Sequence, residues 1–329
     1  MSSTVLVITN EEDLHASAVI SHLNEMGVDV FRLNTEKLLT EQTVSLKQFV
    51  TGESLLIADQ ANARSLRSQD IGVVYFRRPA PPEVPSLWDD NPQAAEVVAS
   101  ESRWFLRWLY AYLDDRPWFS ANPSVIDRAS CKPLQMKLAR SLGMLVPETY
   151  YGNNASDILA MSQATPLVVK AIRETGFEAN QVFHAFYTAE VDRELLRDTP
   201  ELLSGSVNFL QQKFDKDHEL RVTWVDGHCY AARIHSQTGP ETAKLDWRRV
   251  HWQDLDYSVA LLPPKLEQQM GAYCRELGLH YGAFDFIVTK AGEYVFLECN
   301  SNGQWLWIDE KLQLGIAHGI ATALQKRTL

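Results

Sequence analysis

Two acidic side chains and one amide in the C-terminal part of the sequence have the spacing of a metal site. Asp285 lies in the apolar run GAFDFIVT, and Glu298 and Asn300 lie in the next run, EYVFLECN. We expect these runs to form a hairpin with a symmetric turn at residues 291–292. Asp285 then lies directly opposite Glu298, with Asn300 on the same face. Two opposed carboxylates repel each other at about 5 Å, and with an amide oxygen they form a hard-oxygen set that favours Mg²⁺ and phosphate oxygens.

The alternative is that these acids are solvated on an exposed strand face. Apolar neighbours argue instead for a covered hairpin, in which unpaired charge is costly; they are Phe284, Phe286, Phe296 and Leu297. A turn of three or five residues would change the register and remove the argument. Zinc would require His or Cys ligands.

Two lysines lie where they could bind phosphate. Lys170 ends the strand-like run PLVVK, and Lys132 stands at the start of a predicted helix. Such a lysine is most often a surface residue with its ammonium group in water. Beside a metal-binding hairpin, however, two point charges would suit the phosphates of a nucleotide.

Two arginines lie in a second predicted hairpin, whose turn is the Asp-Gly pair at 226–227. Pairing about this turn places Arg221 opposite Ala232. It places Arg233 opposite Leu220, the neighbour of Arg221. The two arginines therefore lie on opposite faces of a regular ladder, unless a bulge turns one of them over. Salt bridging or solvent exposure is the alternative for each of them.

Three more arginines and one histidine are candidates for an acidic substrate or a structural ion pair. Arg77 and Arg78 follow the apolar run GVVYF, and Arg248 lies in the segment DWRR. Guanidinium groups bind carboxylates through two parallel hydrogen bonds, which suits either role. His235 lies two residues after Arg233. The sequence has no spacing typical of a Ser/His/Asp triad or a Cys/His pair.

The composition is that of a folded globular protein, with 45% hydrophobic and 22% charged residues among 329. Its net charge of −11 opposes sequence-independent binding to nucleic acid or anionic lipid. Four scattered cysteines, without a CxxC pair, fit a reducing compartment. We find no signal-peptide pattern and no apolar run long enough for a membrane span, so we expect a cytoplasmic protein.

Strand and helix patterns divide the chain into three blocks. The first has predicted strands at Thr4–Thr9, Val28–Leu33, Val44–Val50, Leu55–Ala58 and Gly72–Phe76, and helices at Leu14–Met26 and 93–114. The second has a helix capped by Ser130 that ends at Gly143, strands at Glu148–Tyr151, Pro166–Ile172 and Gln181–Tyr187, and a short helix from Ser156. The third has two hairpins and helices at 264–277 and 309–326. These blocks predict an α/β protein with domains 1–119, 120–206 and 207–329.

The chain resembles the ATP-grasp ligases, and within them the peptide-macrocyclising maturases of the microviridin, or graspetide, type. The resemblance covers nearly the whole chain. It rests on YFRRP (75–79), ESRWFLRWL (101–109), NPSVIDRASCKPLQMKLARSLGMLVPETYYGN (122–153), VVK (168–170), QQKFDKDHELRVTWVDG (211–227), AARIHSQ (231–237) and FDFI…FLECNSNGQW (284–305). It implies an ATP-grasp fold, α/β with α+β elements, behind an N-terminal pre-ATP-grasp α/β domain. One departure is the segment RETGFEANQ (173–181), which has a single glycine where many ATP-grasp enzymes have a glycine-rich loop.

The resemblance also implies a role for each candidate residue. Lys132 and Lys170 would bind the nucleotide phosphates, Gln212, Lys213 and Phe214 would contact adenine, and Glu219 would contact the ribose. Arg233 with Lys170 would bind the transferring phosphate, and Arg221 would bind the acyl phosphate or the substrate carboxylate. Two Mg²⁺ ions would be bound by Asp285, Glu298 and Asn300, and the substrate would be bound by Arg77, Arg78, Arg221, His235 and Arg248.

The implied activity is that of a peptide ligase using ATP and Mg²⁺. It would activate Asp or Glu side chains of a ribosomal precursor peptide with a leader as acyl phosphates, and join them to Thr, Ser or Lys side chains as macrocyclic esters or amides. A homodimer is expected by family analogy. No nucleic-acid or membrane partner is expected. Two alternatives stay open: a small-molecule carboxylate–amine ligase, and a non-catalytic ATP-binding protein.

Overall fold

The N-terminal part of the chain forms two sheets in a computed structural model that describes residues 3–173, 176–179 and 182–328. Its elements are β1 (Thr4–Thr9), α1 (Leu14–Glu25), β2 (Val30–Asn34), β3 (Gln42–Phe49), β4 (Gly52–Asp59), β5 (Arg64–Arg67), β6 (Ile71–Phe76), α2 (Pro92–Tyr112) and β7 (Trp118–Phe119). One sheet is parallel, with the order β2-β1-β6-β7. The other is antiparallel, with the order β3-β4-β5. The predicted small α/β architecture is confirmed here.

Capping residues explain where the two helices of this part begin and end. The side chain of Asp13 accepts a hydrogen bond from the His15 N–H at 2.9 Å, which fixes the start of α1. The chain turns after this helix at Gly27, whose φ of +71° favours glycine. Asn91 caps α2 by accepting from the Ala94 N–H at 3.1 Å. The strand β5 was not predicted, because RSLR contains one apolar residue and has no clear alternation.

The central part has a four-stranded antiparallel sheet with the order β12-β9-β13-β8. Its elements are α3 (Pro123–Ala129), α4 (Lys132–Ser141), β8 (Thr149–Gly152), α5 (Ala155–Ala164), β9 (Leu167–Lys170), β10 (Gly176–Ala179), β11 (Val182–Ala185), β12 (Ala189–Glu190), α6 (Arg193–Asp198), α7 (Pro200–Ser204) and β13 (Asn208–Gln212). The strands β10 and β11 form a separate hairpin. Residues 174–175 and 180–181 of the predicted single-glycine segment lie outside the described residues, as does the first residue of the strand predicted at 181–187.

The prediction that Ser130 caps a helix is wrong. The chain forms two short helices here, and the Ser130 hydroxyl donates to the Asp127 carbonyl at 2.7 Å, at the end of α3. The next helix, α4, begins at Lys132. The helix α3 was missed because Asn122, which caps it, and Pro123 look like a loop in sequence.

The C-terminal part is built on a five-stranded antiparallel sheet with the order β16-β15-β14-β17-β18. Its elements are β14 (Lys216–Val225), β15 (His228–Ile234), β16 (Tyr257–Val259), α8 (Pro264–Leu277), β17 (Tyr281–Thr289), β18 (Tyr294–Asn300), α9 (Leu306–Leu312) and α10 (Ile316–Gln325). Side chains of α8 such as Met270 and Tyr273 pack with Phe284, Phe286 and Phe296 in a buried aromatic core on one face of this sheet. Polar functional residues are therefore restricted to its other face and its rims.

The helix predicted at 309–326 is two helices. The chain turns between α9 and α10 at Gln313 (φ +54°) and Gly315 (φ +78°). After this turn α10 packs against α1, and Ile320 and Leu324 share a buried core with Leu23. Among the described residues, no helix is both long and apolar enough to cross a membrane.

The second predicted hairpin is confirmed in its turn and its register. Asp226 and Gly227 have φ values of +47° and +98°. Arg221 pairs with Ala232 and Leu220 with Arg233 in a ladder without a bulge.

The turn residue Asp226 ties this hairpin to the segment after α10, and its loss is expected to destabilise the fold. Arg327 donates to both carboxylate oxygens of Asp226, at 2.6 and 2.9 Å, and His280 contacts the same group at 3.0 Å. Burial alone would raise the pKa of Asp226, but these partners outweigh it and hold that pKa well below its ordinary value. The stabilisation is therefore present at neutral pH and is lost as the pH falls below about 4.

We expect Asp226→Asn, which tolerates the same turn conformation, to lower the free energy of unfolding at pH 7 by about 1–2 kcal/mol, allowing for solvent screening. Denaturant unfolding at pH 7 and pH 3 measures this, and the deficit should shrink at pH 3. Glu241→Gln removes the exposed Lys244–Glu241 pair and serves as the control with a much smaller effect. An equal deficit at both pH values would contradict the prediction.

Candidate active site

Asp285 and Glu298 lie directly opposite each other, as predicted, although the turn differs from the predicted one. Three residues separate Thr289 from Glu293, whose carbonyl accepts from the Thr289 N–H at 3.0 Å. Such a turn alone would pair Asp285 with Leu297 and put the two carboxylates on opposite faces. A bulge at Leu297, between the Phe286–Phe296 and Asp285–Glu298 pairs, restores the predicted register.

Each of the two carboxylates has a basic partner in the structure. The Arg221 Nε lies 3.1 Å from Asp285 Oδ1, and the Lys132 ammonium contacts the Glu298 carboxylate. Asn300 donates through Nδ2 to Glu298 Oε1 at 3.0 Å. The carboxylate, amide and cationic groups thus converge on one face of the five-stranded sheet, on β14, β17, β18 and the first turn of α4.

Burial and charge make the two acids unequal. Burial raises the pKa of Asp285, the nearby Glu298 charge adds to this, and Arg221 only partly offsets it. Burial also disfavours the charged form of Glu298, but Lys132, Lys170 and the Asn300 amide outweigh it and lower its pKa. Glu298 therefore holds its charge, whereas ionisation of Asp285 is favoured by added positive charge. Two carboxylates and an amide oxygen fit Mg²⁺ in donor chemistry.

Two further cations approach the same carboxylates from other elements. Lys170 ends β9, where burial lowers its pKa to about 8 while the Glu298 charge opposes that shift. Arg248 lies in a short 3₁₀ turn, and its charge acts on both carboxylates. It is held by two hydrogen bonds to Asp246, at 2.9 and 2.8 Å. Asp246 is itself buried and accepts from the Thr188 N–H at 3.1 Å.

The segment that joins β13 to β14 links the central and C-terminal sheets. The Gln212 N–H donates to the Glu148 carbonyl and the Lys213 N–H to the Pro166 carbonyl, both at 2.8 Å. The Lys213 ammonium pairs with Glu190 at 2.5 Å, and Phe214 is half-buried. The residues predicted to contact adenine thus lie in the segment between the two sheets, and hydrogen bonds and an ion pair hold this segment in place.

Glu219 lies on the same face of β14 as Arg221, two residues away. It is buried and is contacted by the Lys216 ammonium and the Ser236 hydroxyl. Burial raises its pKa, and both partners work against that shift. Its side chain therefore has a fixed orientation at the start of this face.

Arg233 and His235 lie away from the carboxylates. Because the ladder has no bulge, Arg233 points to the face opposite Arg221, and it is exposed. Its charge acts on His218 instead. The His235 Nε2 contacts the Ser258 hydroxyl at 2.9 Å. The predicted phosphate role of Arg233 stays a prediction, and this placement does not favour it.

The two arginines that follow β6 differ in burial. Arg77 is 1% exposed and donates to Asn302 and Gly303, so its polar atoms are directed into the protein. Arg78 is exposed, with φ of +46° and its carbonyl bonded to Asn10.

Sequence reasoning missed a small cavity at the first turns of α4. Its volume is about 310 Å³, and it lies between α4 and β8, lined by Pro133, Met136, Lys137, Arg140, Ser141, Thr149 and Tyr151. The Tyr151 hydroxyl is buried there without a hydrogen-bond partner among the described residues, and its ring stacks on Phe209 at 4.7 Å. The alternation of side chains along β8 could have indicated which strand face lines the cavity, but not that α4 packs over that face. Asp246 was also missed as a functional residue, although it stands in the quoted segment DWRR.

Comparison with known proteins identifies the class of this fold and site. Residues 4–125 match the family model described as the MvdD pre-ATP grasp domain. A RiPP-associated ATP-grasp ligase from Chryseobacterium gregarium, in complex with ADP and a leader and core peptide, is 25% identical over 98% of this chain and 96% of that chain, with a TM-score of 0.89. The macrocyclase MdnC from Microcystis aeruginosa, bound with precursor peptide MdnA, is 27% identical over 98% and 99%, with a TM-score of 0.83. The macrocyclase MdnB from the same organism is 28% identical over 98% and 99%, with a TM-score of 0.77. No curated protein sequence matches the chain.

The chain is therefore an ATP-grasp ligase with an N-terminal pre-ATP-grasp domain. Within that class it groups with the ligases of ribosomally made, modified peptides, and the resemblance to graspetide maturases is confirmed.

Proposed function

We propose that the protein is an ATP-dependent peptide ligase that forms macrocyclic esters or amides between Asp or Glu and Thr, Ser or Lys side chains of one precursor peptide. The observation that carries this proposal is the opposed pair Asp285 and Glu298, with Asn300 on the same strand face and four cations around them. An acidic pair within a cationic rim suits a metal–triphosphate complex and not a free carboxylate substrate alone.

The reaction has two steps. A peptide carboxylate oxygen attacks the γ-phosphorus of ATP, which gives an acyl phosphate and releases ADP. A hydroxyl oxygen or amine nitrogen of the same peptide then attacks the acyl carbon, forms the ester or amide, and expels phosphate, which can take up the proton. Mg²⁺, when bound, neutralises charge on the phosphoryl oxygens. Asp285, Glu298 and Asn300 would hold it, and we propose two ions.

The nucleotide roles follow the path from the carboxylates to the segment between the sheets. Lys132 and Lys170 bind phosphates as point charges, since both carry positive charge close to Glu298. Glu219 binds the ribose. Gln212, Lys213 and Phe214 contact adenine where the chain crosses between the sheets.

Arg221 and Arg248 are the arginines that we propose for the transferred phosphoryl group and the substrate carboxylate. Within the described part of the chain, Arg221 Nη1 is buried without a hydrogen-bond partner, so a donor is available on the site face. Arg248 is exposed on the same side as Lys170. We give Arg233, His235 and Arg78 no direct part, because Arg233 lies on the other face and neither His235 nor Arg78 contacts the carboxylate cluster.

The peptide carries a leader in this proposal, and no nucleic-acid or membrane partner is involved. We also propose that the chain divides into a pre-ATP-grasp domain (1–119), a central ATP-grasp subdomain (120–206) and a C-terminal one (207–329). A cytoplasmic location stays a prediction.

An exposed apolar stripe on α2 supports a homodimer. Trp104 and Trp108 are 51% and 66% exposed, beside a groove of about 490 Å³ between α2 and β3. A two-fold axis near Trp104 would oppose Glu101 of one copy to Arg107 of the other, since each lies three residues from Trp104. Apolar exposure with self-complementary charge favours a second copy of this chain as the partner.

Trp104→Glu is expected to make the protein monomeric, because it buries a charge at the centre of that contact. Sedimentation velocity at about 10 µM measures this. Leu261→Glu, at a separate and 94% exposed position, is the control and should leave the dimer intact. A dimer that survives Trp104→Glu would contradict this interface.

The test of function is the intact mass of a candidate precursor after incubation with the protein, ATP and Mg²⁺. We expect loss of one water per ring, with equimolar ADP. ADP release with free amino acids but not with peptide would favour a small-molecule ligase. Nucleotide binding without any ADP release would favour a non-catalytic protein.

A further inference from the structure

Arg77 is a buried arginine whose hydrogen bonds end on the loop after the last proposed metal ligand. Its Nη1 donates to the Asn302 carbonyl at 2.6 Å, to Asn302 Oδ1 at 2.8 Å and to the Gly303 carbonyl at 3.0 Å. Its Nε lies 3.6 Å from the Asp13 carboxylate, and the residue is 1% exposed. Burying a guanidinium is costly, so these contacts fix one arrangement strongly.

All three carbonyls of the loop at residues 301–303 are held from outside it. The Ser120 hydroxyl donates to the Ser301 carbonyl at 2.7 Å. The Tyr281 hydroxyl donates to the Gly303 carbonyl at 2.9 Å, beside the bond from Arg77. Two of these three donor residues, Arg77 and Ser120, directly follow strands of the N-terminal parallel sheet.

The loop lies tightly against Asn300 itself. A Cβ added at Gly303 would lie 3.0 Å from the Asn300 Cβ and 2.6 Å from the Ala283 Cβ. The Gly303 N–H also donates to the Asn300 carbonyl at 3.1 Å. A displacement of this loop would therefore move the backbone of Asn300.

The N-terminal helix α1 holds the chain just beyond the loop. His15 packs edge-on against Trp305 at 5.0 Å, and its Nδ1 accepts from the Leu306 N–H at 3.3 Å. Burial and the charges of Arg77 and Arg78 lower the pKa of His15 to about 3, so it is neutral and able to accept. Every residue from 301 to 306 except Gln304 is thus contacted by α1 or by a residue that directly follows a strand of the N-terminal parallel sheet.

We propose that Arg77 is a positioning residue for the metal site, through which the N-terminal part fixes the 301–303 loop and so holds Asn300 and Glu298 in register for a divalent ion. This inference rests on the proposed metal role of Asn300. Without Arg77, two loop carbonyls lose a buried donor, and the loop moves to regain one. Partners that orient metal ligands in this way affect metal affinity by about 10–100-fold.

The test is the binding of Mn²⁺, in the presence of ADP, to the full chain, followed by electron paramagnetic resonance. We expect Arg77→Met to weaken Mn²⁺ binding about tenfold or more. Arg77→Lys keeps a donor at the loop and should lose less. The same variants should raise the Mg²⁺ concentration needed for half-maximal ADP release, with less effect on the rate at saturating Mg²⁺.

Arg32→Met is the matched control for a purely structural effect. Arg32 also binds backbone within the N-terminal part, donating to the Glu11 carbonyl at 3.0 Å, and does not contact the 301–303 loop. Its loss should lower the melting temperature without changing Mn²⁺ affinity. Unchanged Mn²⁺ affinity in both folded Arg77 variants would overturn the inference, provided that Asn300→Ala weakens binding. Unchanged affinity in Asn300→Ala would overturn the proposed metal site and the inference with it.

Discussion

Glu298→Gln is expected to reduce ADP release and macrocycle formation by at least about 10²–10³-fold. The substitution keeps the size of the side chain and removes the charge that pairs with Lys132 and acts on Lys170. Lys132 and Lys170 would lose this opposite charge, and the carboxylate that is left, Asp285, has its charged form already disfavoured by burial. A divalent ion would lose its more strongly ionised ligand. The measurement is ADP release with precursor and ATP across a range of Mg²⁺ concentrations.

The control for this variant is Glu293→Gln in the same hairpin. Glu293 is exposed beside the turn, where its backbone N–H donates to the Thr289 hydroxyl. Its substitution leaves the turn and the site intact, so activity should not change. If Glu298→Gln retained wild-type activity at low Mg²⁺, the metal would lie elsewhere.

Arg221→Met is expected to lower macrocycle yield per unit time by about 10²-fold or more. Arg221 is buried and its Nε lies 3.1 Å from Asp285, and neither Nε nor Nη1 has a hydrogen-bond partner among the described residues. An incoming acyl phosphate would accept from Nη1. Arg221→Lys keeps the charge beside Asp285 but loses the second donor direction, so it should retain Mg²⁺·ADP binding better than it retains turnover. Calorimetry with Mg²⁺·ADP and intact-mass kinetics separate these two effects.

Arg233→Met is the matched comparison for Arg221→Met, because the hairpin register places the two arginines on opposite faces of the sheet. Arg233 is an arginine of the same hairpin, but it lies on the opposite face and is exposed. We expect a far smaller loss than for Arg221→Met. The reverse order of effects would overturn the assignment of the site face.

Short-range turn chemistry explains which parts of the site could be predicted. The Asp-Gly pair at 226–227 fixes its hairpin alone, so the opposite placement of Arg221 and Arg233 follows from the sequence. The metal hairpin was predicted with the wrong turn, and Asp285 still faces Glu298 because the bulge at Leu297 corrects the difference. No residue in that strand indicates a bulge, so the agreement depended on a compensation that the sequence does not display.

Long-range contacts explain most of what the sequence did not reveal. Arg77 looks like a substrate arginine after an apolar strand, yet its partners Asn302 and Gly303 are far away in the chain. The pairing of Lys132 with Glu298 likewise joins α4 to β18. In sequence Ser130 resembles the N-cap of the helix that follows it. In the structure it is instead the C-cap of the preceding helix, α3. Local sequence patterns do not show which distant partner a side chain binds or which helix a capping residue belongs to. Tertiary packing determines both.

The packing of α10 against α1 has a consequence for synthesis on the ribosome. Val19 and Leu23 of α1 emerge early, but Ile320 and Leu324, which cover them, are translated only after the central and C-terminal sheets. The apolar face of α1 in the first β–α–β unit therefore stays exposed to solvent while most of the polypeptide is still being synthesised. Nascent chains of this ligase should be good clients for a chaperone that shields hydrophobic surface, and they become independent of it only when the closing helix arrives.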